Sequence, residues 1–407
     1  MTGRPAGLSV AIAGNARAVP YLVLMQAKKS SLEQHIAVFG ESGSGKTVLV
    51  SSFYGAAQEA SFRRQSLYQV VADDIGQGAR LNRNYLGMRD MNVAPIQTIA
   101  AGASYAFSMK LKEPTNSKAA KAHPFHALRL VWHDYPGEWF EQGVSGTEEA
   151  QRRVDTFRSL LGSDVALLLV DAQRLLDHAG EEERYLKSLF SNFSNGLLAL
   201  KDKLLETGEP LVRFPRIWIM ALSKADLMPE IDAYKFRDLL DLKAADDVDE
   251  FRKVLAGFVQ DPSAMSVAED YLLLSSAKFE PGRIEVADRI GLDLVLPVAA
   301  VLPLERHARW AELQKFPGKV AEALFDGGAR LLAAALANKS RDGILGTILN
   351  VIGKDVVEEA VELAGDTLRE VNRTALAKQN YLTATLTQFR MDLNRGEEEH
   401  TLLRSIK

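Results

Sequence analysis

The chain has 407 residues, 47% of them hydrophobic and 25% charged, with a net charge of −4. That balance indicates neither a disordered nor a membrane-embedded chain and gives no electrostatic reason to expect a nucleic-acid surface. Cysteine is absent, which excludes disulfides, thiolate nucleophiles and cysteine-ligated zinc and fits a reducing, cytoplasmic compartment.

The length suggests one large domain and a smaller one. The expected division is an N-terminal arm over 1–30, a nucleotide domain over 31–303 and a C-terminal helical domain over 304–407. The arm carries an apolar patch, Tyr21 to Met25, but Gly, Pro, Asn and Arg interrupt its start, which argues against a signal peptide. No apolar run reaches the roughly 18 to 20 residues that a membrane span needs.

Ile36 to Phe39 read as a short buried strand, and Val48, Leu49 and Val50 open an apolar helix expected to run to about Ala60. Between them, Gly40-Glu41-Ser42-Gly43-Ser44-Gly45-Lys46-Thr47 matches the phosphate-loop pattern. Its glycines let the backbone curl so that successive N–H groups face an anion at the positive end of the helix. Lys46 is placed to reach β- and γ-phosphates and Thr47 to offer a hydroxyl to Mg²⁺.

Further along, Leu67 to Val71 reads as a strand and Asp73 to Arg89 as a polar helix bearing Arg80, Arg83 and Arg89, which read as solvated helix charges. Asp73-Asp74 fits the start of that helix better than a paired-carboxylate site. The alternating run Ser104 to Leu111 is a half-exposed strand, and a polar linker follows over Lys112 to Lys121. Leu128 to Trp132 is the next strand. It delivers Asp134-Tyr135-Pro136-Gly137-Glu138 at its carboxyl end, where ligands of open parallel sheets collect. There Asp134 can supply a carboxylate to the Mg²⁺ shell and Gly137 an N–H to a γ-phosphate.

Val165 to Val170 is the clearest fully buried strand, and helix-compatible sequence fills Glu181 to Leu205. Two more strands, Arg216 to Leu222 and Tyr271 to Leu274, run into the polar tetrads Ser223-Lys224-Ala225-Asp226 and Ser275-Ser276-Ala277-Lys278. His123, His126 and His133 have no carboxylate or cysteine at ligand spacing, and His133 fits a packing role better than a metal site. From Leu304 the chain is helix-compatible. One apolar stripe runs from Ile344 to Leu368, and Leu382, Leu386, Phe389 and Leu393 form another. Both suit helices packed against each other or on the nucleotide domain. A dimer surface is the alternative, as is a peripheral membrane contact by the Ala-rich Leu331 to Ala337 and the Gly343 to Gly353 segment.

Taken in order, GESGSGKT, Thr98, DYPG, SKAD and SSAK stand at the strand ends where the translation-factor-related (TRAFAC-class) P-loop GTPases carry their guanine-nucleotide loops. The chain resembles that superfamily over about Ser30 to Phe279, and the YPGEW wording looks most like the bacterial YcjX-like and double-GTPase branch. The resemblance implies a three-layer α/β sandwich with a mostly parallel sheet and a C-terminal helical region outside it. It implies GTP or GDP as ligand and Mg²⁺ as cofactor. The nucleotide contacts it implies are Gly40, Ser42, Gly43, Ser44, Gly45, Lys46, Thr47, Val48, Ser223, Lys224, Asp226, Ser276, Ala277 and Lys278. Asp226 is then the guanine reader, Lys224 lies under the base, and the Ala277 N–H faces guanine O6. Ser223 departs from the Asn or Thr usual there, keeping a hydroxyl on a smaller side chain. The implied catalytic set is Lys46, Thr98, Gly137 and Glu138, and the implied metal set Thr47, Thr98 and Asp134. Thr98 is favoured over Thr115 for the loop that closes on the γ-phosphate. Glu138 stands where many relatives carry a water-orienting Gln, and sequence alone assigns no catalytic arginine.

The expected function is a slow, Mg²⁺-dependent GTPase switch read out through Thr98, Gly137 and the C-terminal helices, with a protein partner or a second copy of the chain as its reader. One alternative is a transporter-type ATPase. It requires an LSGGQ-like loop and a carboxylate after Asp134, where Tyr135 stands, and Leu324-Phe325-Asp326-Gly327-Gly328 matches that loop poorly. The other is a non-hydrolysing nucleotide-binding scaffold, suggested by Ser42 and Glu138.

Overall fold

The computed structural model describes residues 32–95, 103–112, 128–140, 146–205, 208–312, 364–377 and 381–405. Thr98, Thr115, His123, His126, the arm over 1–30 and the 331–353 stretch lie outside them.

Five strands run parallel: β1 (Leu32–Phe39), β4 (Leu128–Asp134), β5 (Val165–Asp171), β6 (Ile217–Ser223) and β7 (Ser266–Leu274). At one edge β3 (Ala103–Leu111) pairs antiparallel with β4, and β2 (Tyr68–Ala72) pairs antiparallel with β3. At the other edge β10 (Leu402–Leu403) adds antiparallel to β7. A separate hairpin joins β8 (Lys278–Glu280) and β9 (Arg283–Glu285). The sheet order is β10-β7-β6-β5-β1-β4-β3-β2. β1 is therefore flanked by β4 on one side and β5 on the other, and its carboxyl end lies where the chain switches sides, the crevice in which open α/β sheets collect ligands.

Both faces of the central strands are buried, which explains their near-continuous apolar sequence. From β1, Ile36 and Val38 enter one core and Ala37 and Phe39 the other. The first core is closed by α1 (Lys46–Gln58), α3 (Ile75–Met91), α8 (Val295–Ala300), α9 (Leu302–Glu312) and α11 (Tyr381–Glu398). The second is closed by α4 (Thr147–Leu160), α5 (Ala172–Asp177), α6 (Glu182–Leu204) and α7 (Ala233–Ala256). The result is a three-layer α/β sandwich, as the sequence led one to expect.

The Leu386, Phe389 and Leu393 stripe of α11 is buried in the first core, and Leu382 packs against it. Helix α10 (Ala364–Ala377) packs on α11. Asp74 caps α3 by accepting the Gln77 N–H at 2.7 Å. Asp73 instead accepts from Ser108 and Arg129, tying the turn to β3 and β4. After α1 a second short helix, α2 (Ala60–Gln65), follows the extended Glu59. β7 begins five residues before the apolar run Tyr271 to Leu274, because its first half carries Glu269 and the fully buried Asp270. A register irregularity opposite Trp218 and Ile219 and a left-handed Ala268 interrupt its alternation. Asp270 is paired with the buried Arg306 of α9 at 2.5 Å. Among the described residues no helix is long and apolar enough to cross a membrane.

His307, next to Arg306, is also buried. Loss of hydration, helped by the nearby positive charge of Arg216, depresses its pKa from 6.5 to about 4. The unfolded chain therefore binds this proton first, so the stability contribution is whole above about pH 6.5 and is lost as pH falls toward 4. At pH 5 the loss amounts to about 2 kcal/mol. In denaturant titrations from pH 7 to 4.5, His307→Gln should flatten the acid limb by that amount; an unchanged limb would contradict the assignment.

Candidate functional site

The loop between β1 and α1 is built by two glycines in the left-handed region, Gly43 at φ 82° and Gly45 at φ 90°, where a side chain would be strained. Gly45 caps α1, so the helix N-terminus opens directly onto the loop. The Lys46 ammonium is buried. It donates to the Gly40 carbonyl at 2.7 Å and the Glu41 carbonyl at 3.0 Å, and sits 5.1 Å from the centre of the Tyr135 ring. The Tyr135 hydroxyl holds the same turn, donating to the Gly40 carbonyl and accepting from the Gly40 N–H, each at 2.9 Å. The Ser44 hydroxyl is buried and finds no hydrogen-bond partner among the described residues. Thr47 and Val48 are half-buried, and Val48 packs against a small apolar cluster that includes Ala56, Tyr85 and Ala277.

The end of β4 touches this loop. Asp134 is buried, and loss of hydration pushes its carboxyl up to about 6, with the Lys46 charge pulling the other way. Gly137 packs flat on the loop: a Cβ there would lie 2.3 Å from the Ser42 nitrogen and 2.5 Å from the Glu41 carbonyl carbon. Glu138 follows, accepting the Ser42 hydroxyl proton at 2.7 Å.

A third group stands at the ends of β6 and β7. Ser223 is buried, its hydroxyl donating to the Val170 carbonyl at 3.3 Å. Lys224 takes a left-handed conformation at φ 55°, and its ammonium donates to Asp171 at 2.7 Å. Asp226 faces the Ser275 to Phe279 loop: the Ser275 hydroxyl lies 2.6 Å from one of its oxygens, and the Phe279 N–H donates to the other at 3.1 Å. Each carboxylate oxygen has a second lone pair for a further donor. Ser276 and Ala277 are buried beneath, while Lys278 is exposed and paired with Glu280 at 2.8 Å.

The structure thus gathers the phosphate-loop residues with Asp134, Gly137 and Glu138 at the carboxyl ends of β1 and β4, and brings Asp226 against the Ser275 to Phe279 loop, which contains Ser276, Ala277 and Lys278, at the carboxyl ends of β6 and β7. Several residues here escaped the sequence reading. Asp171 ends the buried β5, caps α5 through the Gln173 N–H at 3.0 Å and grips Lys224. The rule that strand-end polar residues face the ligand crevice would have found it. Ser275, and not the Ser276 that the motif singles out, makes the contact to Asp226. Glu41 and Arg174 meet at 3.0 Å across 133 positions of sequence, from Glu41 to Arg174, with no local signal. His133 is buried in a stack with His35, hydrogen-bonded to it at 2.9 Å and to Ser104 at 2.8 Å, the packing role expected of it. Among the described residues no three His, Cys, Asp or Glu side chains cluster as a metal cage.

Sheet order, loop and helix together define a phosphate-loop α/β fold. No protein-family profile and no curated protein matches the sequence. Among solved structures, the GTP-bound β subunit of the signal recognition particle receptor from Chaetomium thermophilum, in complex with SRX, is similar at 16% identity. That match covers 62% of this chain and 93% of that one with a TM-score of 0.31. A nucleolar GTP-binding protein 1 from Plasmodium falciparum matches at 13% identity over 71% of this chain and 95% of its own, TM-score 0.30. Translation elongation factor SelB from Methanococcus maripaludis, solved with a GTP analogue, matches at 11% over 60% and 30%, TM-score 0.21. At these scores the class rests on the geometry of this chain alone.

Gly137→Ala should break the contact between the β4 end and the phosphate loop, because the atoms in the way are backbone. The expected cost is about 1–3 kcal/mol, the range for overpacking. Amide hydrogen exchange over 40–47 should rise by tenfold or more in the variant; unchanged exchange and melting temperature would show that the contact does not hold the loop.

Proposed function

We propose that the chain is a Mg²⁺-dependent GTP-binding and GTP-hydrolysing switch of the translation-factor-related class. The observation that carries the reading is the joint placement of the phosphate loop, the Asp134 to Glu138 turn and the braced Asp226 at the carboxyl ends of one sheet. On this reading Gly40 to Val48 wrap the phosphates, with Lys46 leaving the loop carbonyls for β- and γ-phosphate oxygens. Ser223, Lys224, Asp226, Ser276, Ala277 and Lys278 form the base pocket. Asp226 accepts guanine N1 and N2 hydrogens, and adenine leaves that carboxylate without its donors, the kind of loss that supports strong discrimination.

The residues fit Mg²⁺. One desolvated carboxylate and one hydroxyl match its preference for oxygen ligands drawn from one or two side chains, substrate phosphates and water. Asp134 and Thr47 would hold the ion, with Thr98 as a further hydroxyl ligand, and the bound ion would neutralise charge on the β- and γ-phosphates. In hydrolysis a water oxygen forms the new bond to the γ-phosphorus. The bridging P–O bond breaks toward GDP, and the water proton ends on the released phosphate. Gly137 offers its N–H to the γ-phosphate. Glu138, drawn to the Ser42 hydroxyl, adds negative charge beside it, which supports slow turnover without a partner.

The C-terminal region over 304–407 is the proposed reader of nucleotide state, by way of a protein partner or a second copy, in the cytoplasm.

Calorimetry in Mg²⁺ should show GTP bound at least tenfold more tightly than ATP. Asp226→Asn should weaken GTP at least tenfold while gaining xanthosine triphosphate, and Lys46→Ala should abolish phosphate release. An unchanged base preference in the Asp226 variant would remove the guanine assignment; turnover persisting in the Lys46 variant would remove the phosphate-loop assignment.

A further inference from the structure

Arg174 lies in α5, directly after β5, and reaches back onto the phosphate loop. One terminal nitrogen is 3.0 Å from the Glu41 carboxylate, and the other donates to the Ser42 carbonyl at 3.1 Å. The Ser42 hydroxyl in turn donates to Glu138 at 2.7 Å, and Gly137 packs on the Ser42 nitrogen. Arg174, Ser42, Glu138 and Gly137 therefore surround the same stretch of loop. In the proposed GTPase that stretch faces the γ-phosphate, since Gly137 is the residue offering it an N–H.

Charge makes the position telling. Glu41 is buried, and Glu138 lies one residue beyond Gly137. Two carboxylates beside a triphosphate oppose both binding and the charge that spreads over the equatorial oxygens during transfer. Arg174 offsets Glu41 directly. Its side chain keeps 36% of its exposure against 5% for Glu41, so it has room to turn. A guanidinium carries five N–H donors in a planar fork suited to phosphate oxygens. The helix that carries it is fixed at its start by Asp171, whose side chain caps α5 and also binds Lys224 of the proposed base pocket.

We propose that Arg174 is a catalytic arginine supplied in cis. Resting on Glu41 and the Ser42 carbonyl, it turns its guanidinium fork onto the γ-phosphate oxygens as the bond to the β-phosphate oxygen breaks. It takes no part in proton transfer, and the electron pair of the broken bond goes to GDP. This inference rests on the GTPase reading.

The test uses the full chain with Mg²⁺ and measures single-turnover GTP hydrolysis, GDP and GTP affinity, and GDP affinity with aluminium fluoride. Arginines in this role contribute about 10³- to 10⁵-fold to the rate. Arg174→Ala is expected to slow hydrolysis by at least about 100-fold while GDP affinity stays within about threefold. It should also lose the tightening of GDP by aluminium fluoride, and added guanidinium should restore part of the rate. Glu41→Gln combined with Arg174→Ala leaves no unpaired buried carboxylate, keeps the test open if the single variant unfolds, and should be equally slow. Hydrolysis within threefold of the parent in either variant would overturn the proposal. So would rate, GDP affinity and GTP affinity falling together, as a purely structural clamp predicts. A parent that prefers ATP defeats the guanine reading alone, and the same comparison then runs with ATP. A parent that binds GTP without turning it over overturns the arginine assignment and leaves nucleotide binding standing.

Discussion

The contact that organises this molecule is between two backbones: Gly137 lying on the peptide between Glu41 and Ser42. No side chain fits there. Through it, the end of β4 and the loop after β1 are packed backbone to backbone, with Asp134 and Glu138 on either side of the contact. The sheet makes the contact possible. β1 and β4 are parallel neighbours in register from Leu32 with Leu128 to Ala37 with His133, so their carboxyl ends emerge side by side.

Electrostatics around that contact is unusually full of carboxylates. Glu41, Asp134 and Asp171 are all buried, and each faces a cation: Arg174, Lys46 and Lys224 in turn. Burying an unpaired charge would cost several kcal/mol, so the Glu41–Arg174 and Asp171–Lys224 ion pairs help to fix the loops that carry them. A triphosphate and its metal would compete for the same partners. That competition gives a physical route from ligand binding to loop movement, because Lys46 cannot serve both the Gly40 carbonyl and a phosphate at full strength.

Much of the frame was legible because apolar runs and motif glycines are local signals. Val165 to Val170 could only be a strand covered on both faces, and Gly43 and Gly45, in left-handed conformations, supply the curl expected of the loop's glycines. The stripe Leu382, Leu386, Phe389 and Leu393 announced a packed helix. What escaped was non-local or masked by polar residues. The first half of β7 was hidden by Asp270, whose partner Arg306 lies on another element. β10 is two residues long and exists only because β7 offers an open edge. The Arg174 to Glu41 pair has no sequence signature at all, and the brace on Asp226 came from Ser275, one position before the serine the motif singles out. Patterns identify which residues face a site; only the fold shows which of them are already holding one another.

The account stands on the loops at this sheet edge converging on one guanine nucleotide. A crystal structure of the full chain with Mg²⁺ and a non-hydrolysable GTP analogue tests it most directly. The account predicts the Asp226 carboxylate within hydrogen-bond distance of guanine N1 and N2, and Lys46 moved from the Gly40 and Glu41 carbonyls to phosphate oxygens. A base lying away from Asp226, or a Lys46 still bound to those carbonyls beneath the phosphates, would contradict it.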